Sequence, residues 1–142
     1  MFEKDLPTVE DPPFRALIVD DNIGSAKILG MLFEKIGPYD VELAHCGRDA
    51  IEKAREFRPD VMVLDLILGD ISGLEVARTV QQEPTLDGTL LVALTGNGSP
   101  EDHRRSLAAG FHMHLVKPIG VDRVQDVLTL LRETRSEGVR DG

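Results

Sequence analysis

The chain has 142 residues, enough for one domain with a proper core, and its 42% hydrophobic content is ordinary for a soluble globular protein. With 25 acidic against 16 basic residues the net charge is −9, which argues against direct nucleic-acid binding, because phosphate neutralisation needs clustered Lys and Arg. The one cysteine, Cys46, excludes an internal disulfide and fits a cytoplasmic location; no apolar run approaches the ~18 residues of a membrane span, and the N-terminus lacks a secretory pattern.

Residues 1–13 (MFEKDLPTVEDPP) carry three prolines and five charges and read as a flexible lead-in to a domain over 14–134. A first strand is expected over 16–19, ending at Asp20-Asp21. Asn22 then caps a helix whose apolar face is Ile28, Leu29, Leu32, Phe33 and Ile36, stopped by Gly37-Pro38. A short second strand over 41–44, broken by Glu42, belongs at a sheet edge. The second helix spans 48–57 and buries Ala50, Ile51, Ala54 and Phe57. Val61-Met62-Val63-Leu64 then form a strand buried on both faces and end on a carboxylate, Asp65. A third helix over 74–82 and an all-apolar strand over 90–94 follow, the latter ending at Thr95. Ser99-Pro100 opens a fourth helix, thinly apolar, with Leu107 and Ala108 as its main anchors. A strand over 112–116 ends at Lys117-Pro118. The last helix, over 121–132, presents Val124, Val127, Leu128 and Leu131, and residues 135–142 read as a flexible tail.

Strands and helices thus alternate five times, which requires a parallel sheet with helices on both faces, built from right-handed crossovers. Every strand but the second ends on a polar group: Asp20 and Asp21, Asp65, Thr95, Lys117. In the strand order 2-1-3-4-5 the first and third strands are neighbours, about 4.8 Å apart, so carboxylates at their tips can share one cation. Such carboxylates repel one another, and a hard divalent ion relieves that repulsion; an all-oxygen set suits Mg²⁺, with Mn²⁺ as a substitute. His112 and His114 share a strand face, but a third ligand for zinc is not evident. A carboxylate is a competent nucleophile toward phosphorus, so Asp65 is the candidate nucleophile, Lys117 the charge clamp and Thr95 the hydroxyl donor.

The segments Val19-Asp20-Asp21-Asn22, Val63-Leu64-Asp65, Leu94-Thr95-Gly96 and Val116-Lys117-Pro118, in this order and spacing, resemble the receiver domain of two-component response regulators over about 15–134. The resemblance implies a flavodoxin-like, doubly wound five-stranded sheet and a signalling phosphoacceptor that catalyses its own phosphorylation and dephosphorylation only. It implies Asp65 as phosphoacceptor and Mg²⁺ held by Asp65, by Asp21 directly, by Asp20 largely through water and by the Ile67 backbone carbonyl. It further implies a cis peptide at Lys117-Pro118 and a histidine kinase or histidine phosphotransfer protein as donor. A downstream protein partner would bind the face made by helix four, strand five and helix five, a homodimer being left open. Thr95 and the residue at 114 would form the switch. Two positions depart from the family pattern: Gly69 stands where proline is frequent, loosening that loop, and His114 stands where tyrosine or phenylalanine is usual. Competing readings are an Asp-nucleophile phosphatase of haloacid-dehalogenase type, which wants an acid at the position of Ile67, and a receiver-like interaction module that is never phosphorylated. A flavin-binding protein of this architecture would place its phosphate loop where Asp20-Asp21 repel it.

Overall fold

The computed structural model describes residues 12–96 and 98–141, so the expected lead-in, Pro12 and Pro13 apart, lies outside the described residues. Its strands are β1 (Phe14–Val19), β2 (Tyr39–Ala44), β3 (Val61–Asp65), β4 (Leu90–Thr95) and β5 (Met113–Val116). Its helices are α1 (Ile23–Ile36), α2 (Gly47–Phe57), α3 (Gly73–Gln81), α4 (Pro100–Ala108) and α5 (Val121–Asp141), with a 3₁₀ turn at Pro84–Leu86. All four ladders are parallel, and the strand order is β2-β1-β3-β4-β5, as the alternation of elements and the family resemblance together imply.

The pleat divides the core in two. Ala16, Ile18, Val61, Val63, Val92 and Leu94 point to one face and meet Leu29 and Phe33 of α1 and Val124, Val127, Leu128 and Leu131 of α5. Leu17, Val19, Met62, Leu64, Leu91 and Ala93 point to the other and meet Ala50 and Ala54 of α2 and Val76, Ala77 and Val80 of α3. Every residue of β3 and β4 is buried, which is why both read as apolar runs up to the polar residue that ends each. Truncating one of these fully buried side chains, Met62 or Phe33 for instance, would cost about 2–5 kcal/mol. The mixed burial of β2 fits its edge position.

Helix starts follow local chemistry. The side chains of Asn22, Ser72 and Ser99 accept from the amides of Ser25, Glu75 and Asp102 at the first turns of α1, α3 and α4. Three expectations are corrected. Ile28 is 70% exposed, because the buried stripe of α1 centres on Ala26, Leu29, Gly30 and Phe33. Leu107 and Ala108 do not anchor α4; both are exposed, and the inward positions are Ser106 and Ala109. The last helix does not stop at Arg132 but continues to Asp141, so the stretch expected as a tail is helical that far.

Candidate functional site

Parallel strands bring their C-terminal tips to one edge, and the polar residues picked out in the sequence arrive there together. Asp20 follows β1 and is tied by its N–H to the Ala44 carbonyl of β2 at 3.1 Å. Asp65 and Thr95 are the last residues of β3 and β4. Lys117 follows β5, its N–H donating to the Thr95 carbonyl at 2.8 Å. Asp20 is only 2% exposed, Asp65 7% and Thr95 5%.

Two buried carboxylates side by side need compensation, and Lys117 supplies it. Its Nζ donates to Asp20 Oδ2 at 3.0 Å and to Asp65 Oδ2 at 2.7 Å. The remaining oxygens take backbone amides two residues on: Asn22 N–H to Asp20 Oδ1 at 3.0 Å, Ile67 N–H to Asp65 Oδ1 at 2.9 Å. Burial alone would pull the lysine toward its neutral form. The bonds to Asp65 and Asp20, reinforced by both negative charges, outweigh that and hold its pKa above the usual 10.5.

Asp21 is exposed beside this pair. One oxygen each from Asp20, Asp21 and Asp65 falls within 4.8 Å of the others, the one such cluster of possible ligands among the described residues. Three carboxylates against one ammonium leave surplus negative charge and a hard, all-oxygen donor set, which fits Mg²⁺. The Ile67 side chain is 81% exposed at the mouth, and its amide is already committed to Asp65. The Lys117-Pro118 peptide is cis.

His114 sits apart from the carboxylates, between β5 and α4. Its Nδ1 lies 3.0 Å from Ser106 Oγ, and that hydroxyl donates to the His103 carbonyl at 2.9 Å. Ser106 has one proton to give, so His114 Nδ1–H is the donor in their bond. His114 Nε2 is then left buried without a partner among the described residues, and the His103 ring lies 5.0 Å away. Burial, and then the neighbouring His103, push the His114 pKa below the usual 6.5 against a weaker opposite pull from Asp102. His112 takes a different partner, accepting the Leu91 N–H on Nδ1 at 2.9 Å.

Two contributors escaped the sequence reading. His45 Nδ1 lies 3.1 Å from the Asp20 carbonyl oxygen. Asp70 reaches from the β3–α3 loop to accept the amides of Gly47 and Arg48 at 2.8 and 2.9 Å. A signal for Asp70 existed: α2 starts behind Cys46, which gives no side-chain cap, so its first amides had to find an acceptor elsewhere.

The model of the response regulator receiver domain matches residues 16–129, most of the chain. The chain belongs to the response regulator receiver family. This receiver domain is 36% identical over 112 residues to the transcriptional regulatory protein TrcR of Mycobacterium tuberculosis, covering 79% of this chain but 42% of that protein. It is 32% identical over 111 residues to the polar-differentiation response regulator DivK of Brucella anthropi, covering 78% and 89%. Among solved structures, the signal receiver domain of a Luxo repressor protein from Vibrio parahaemolyticus superposes with a TM-score of 0.80 at 31% identity, covering 92% of this chain and 98% of the other. Membership of this family disfavours the phosphatase and flavin readings, and Ile67 offers no acid for the former. Among the described residues no helix is long and apolar enough to cross a membrane.

Proposed function

We propose that this receiver domain, assigned to residues 14–134, takes a phosphoryl group from a histidine kinase or histidine phosphotransfer protein onto Asp65, in the cytoplasm, and thereby changes what its α4–β5–α5 face binds. One observation carries the reading: Asp65 is a buried carboxyl group at a strand tip, with Lys117 on one oxygen and the Ile67 amide on the other. A carboxylate oxygen of Asp65 forms the new bond to phosphorus while the donor's P–N bond breaks, its electron pair returning to the imidazole. The Lys117 ammonium offsets charge on the transferring oxygens, and the Thr95 hydroxyl donates to one of them. Asp20, Asp21, Asp65 and the Ile67 carbonyl would hold Mg²⁺, which when bound supplies further positive charge for those oxygens. The domain's own chemistry ends with gain and loss of this group, so it is a phosphoacceptor and turns over no separate substrate.

A cleft of about 420 Å³ runs beside Asp20 and Lys117, lined by Ile28, Leu29, Leu32, Pro118 and Ile119, and offers the donor an apolar rim. On the output side, Leu107, Val116 and Val121 are exposed apolar residues on α4, β5 and the first turn of α5, a surface suited to a protein partner. His114 links two of these elements through Ser106 and holds the position we assign, with Thr95, to the switch. Asn97, two residues beyond Thr95, is the sequence's other candidate, with Ile67, to border the path of a water attacking the phosphoryl group; it lies outside the described residues.

Incubation with acetyl phosphate and Mg²⁺ followed by intact mass tests the reading. Wild type gains one phosphoryl mass and Asp65→Asn gains none; equal labelling of the two would remove Asp65 from its role.

A further inference from the structure

We propose that Asp70 is a positioning residue for metal loading, clamping the loop that carries Ile67 to the turn that touches Asp20; the inference rests on the metal site read above. After Asp65 the loop has a firm inner anchor, because Leu66 N–H donates to the Leu94 carbonyl at 3.2 Å and its own carbonyl accepts Gly73 N–H at 2.9 Å. Leu68 is buried in the core. At Gly69 the chain stands open: a Cβ built there would meet nothing within 4 Å. The first outer restraint after that opening is Asp70.

Both oxygens of this exposed carboxylate are used, Oδ1 by Gly47 N–H at 2.8 Å and Oδ2 by Arg48 N–H at 2.9 Å. The donors are the opening amides of α2, where the positive end of the helix favours a negative partner. Hydrogen bonds to an ionised group are roughly twice as strong as neutral ones. First the Arg48 amide and then the Gly47 amide hold the Asp70 carboxyl far below the usual carboxylate range, so the clamp stays charged through the neutral and mildly acid range. The next residue locks the same joint: a side chain on Gly47 would collide with Ile71 and stand 3.0 Å from Val76. The 45–48 turn reaches the acidic edge at its other end, where His45 Nδ1 meets the Asp20 carbonyl at 3.1 Å. Three contacts, His45 to Asp20, Gly47 to Asp70 and Ile67 to Asp65, joined by the short backbone stretches 45–47 and 67–70, therefore close a ring around the edge. The residues read as ligands from β1 and β3 are thus held in register before any ion arrives. The Gly69 that loosens the loop is offset by the carboxylate that follows it.

Groups that orient ligands without touching the metal are each worth about 10–100-fold in affinity. The test is calorimetric Mg²⁺ titration of the unphosphorylated wild type, Asp70→Ala and Asp70→Asn, with amide exchange at Gly47 and Arg48 followed by NMR in metal-free buffer. Asp70→Ala should weaken Mg²⁺ binding about tenfold and unprotect both amides. Asp70→Asn, which keeps one acceptor oxygen, should recover part of both, and it carries the test if the alanine variant fails to fold. Unchanged Mg²⁺ affinity in the folded variants, with the amides unprotected, would make Asp70 a helix cap alone and overturn the proposal. A wild type that binds no Mg²⁺ would overturn the metal site itself and this inference with it, whereas wild-type binding with unaffected variants overturns this inference only.

Discussion

Replacing Lys117 by alanine removes the one ammonium bonded to both Asp20 and Asp65 and leaves those buried carboxylates facing each other. Loss of one member of a fully buried ion pair costs about 3–5 kcal/mol. The Lys117 side chain is 32% exposed, so water already screens part of its attraction and can reach the gap it leaves. Halving the buried figure gives a loss of about 2 kcal/mol for Lys117→Ala in metal-free buffer near neutral pH. For a chain of this size that is a fall in Tm of about 7 °C. The tie is present below the ordinary lysine pKa of 10.5 and lost only as pH rises through the higher folded value, so the whole penalty is visible at neutrality. Mg²⁺ stabilises by mass action, about 2.7 kcal/mol at a hundredfold excess over Kd. It should raise the Tm of Lys117→Ala more than that of wild type, because the variant has the larger uncompensated charge. Thermal melts followed by far-UV circular dichroism, with and without Mg²⁺, measure both shifts. An unchanged metal-free Tm would refute the electrostatic account of this edge.

Ile67 is apolar and exposed at the site mouth, unable to orient an attacking water, so Ile67→Asn should shorten the life of the phosphoryl group; a decay as slow as wild type in a time course of intact mass would contradict this. Gly73→Ala would drive a Cβ into the Asp65 carbonyl and to 2.8 Å from Leu66 Cα, so it should cost about 1–3 kcal/mol in urea unfolding, where a strain-free helical site would instead gain up to about 1 kcal/mol. His114 has a depressed pKa, so the folded state resists a proton that the unfolded chain accepts. Wild-type stability should therefore fall as pH drops below about 6.5, and the fall should be shallower in His114→Phe; identical pH profiles would show that His114 does not titrate across folding.

The fold was legible because its signals are local and agree with one another: apolar runs of strand length, Asn22 and Ser99 as caps, Gly37-Pro38 as a stop. The polar strand ends were legible because a parallel sheet places all its C-terminal tips on one edge, so topology alone gathers Asp20, Asp65, Thr95 and Lys117. Orientation on the helices was harder to read. Ile28 and Leu107 are apolar yet turn outward, since burial depends on which face meets the sheet and on neighbours distant in sequence. Ser106 is fully buried because its hydroxyl has partners in His103 and His114, contacts that no local pattern encodes. The Asp70 clamp joins residues 22 and 23 positions apart, and only an uncapped α2 hinted that α2 needed a distant acceptor.

Of the carboxylates at the acidic edge, Asp65 alone is expected to take the phosphoryl group. Borohydride reduction of the phosphorylated protein converts an acyl phosphate to homoserine, which peptide mass spectrometry then locates in the chain. Homoserine is expected at position 65 in wild type and at no position in Asp65→Asn; homoserine at Asp20 or Asp21, or phosphate on a histidine with Asp65 unmodified, would contradict this assignment.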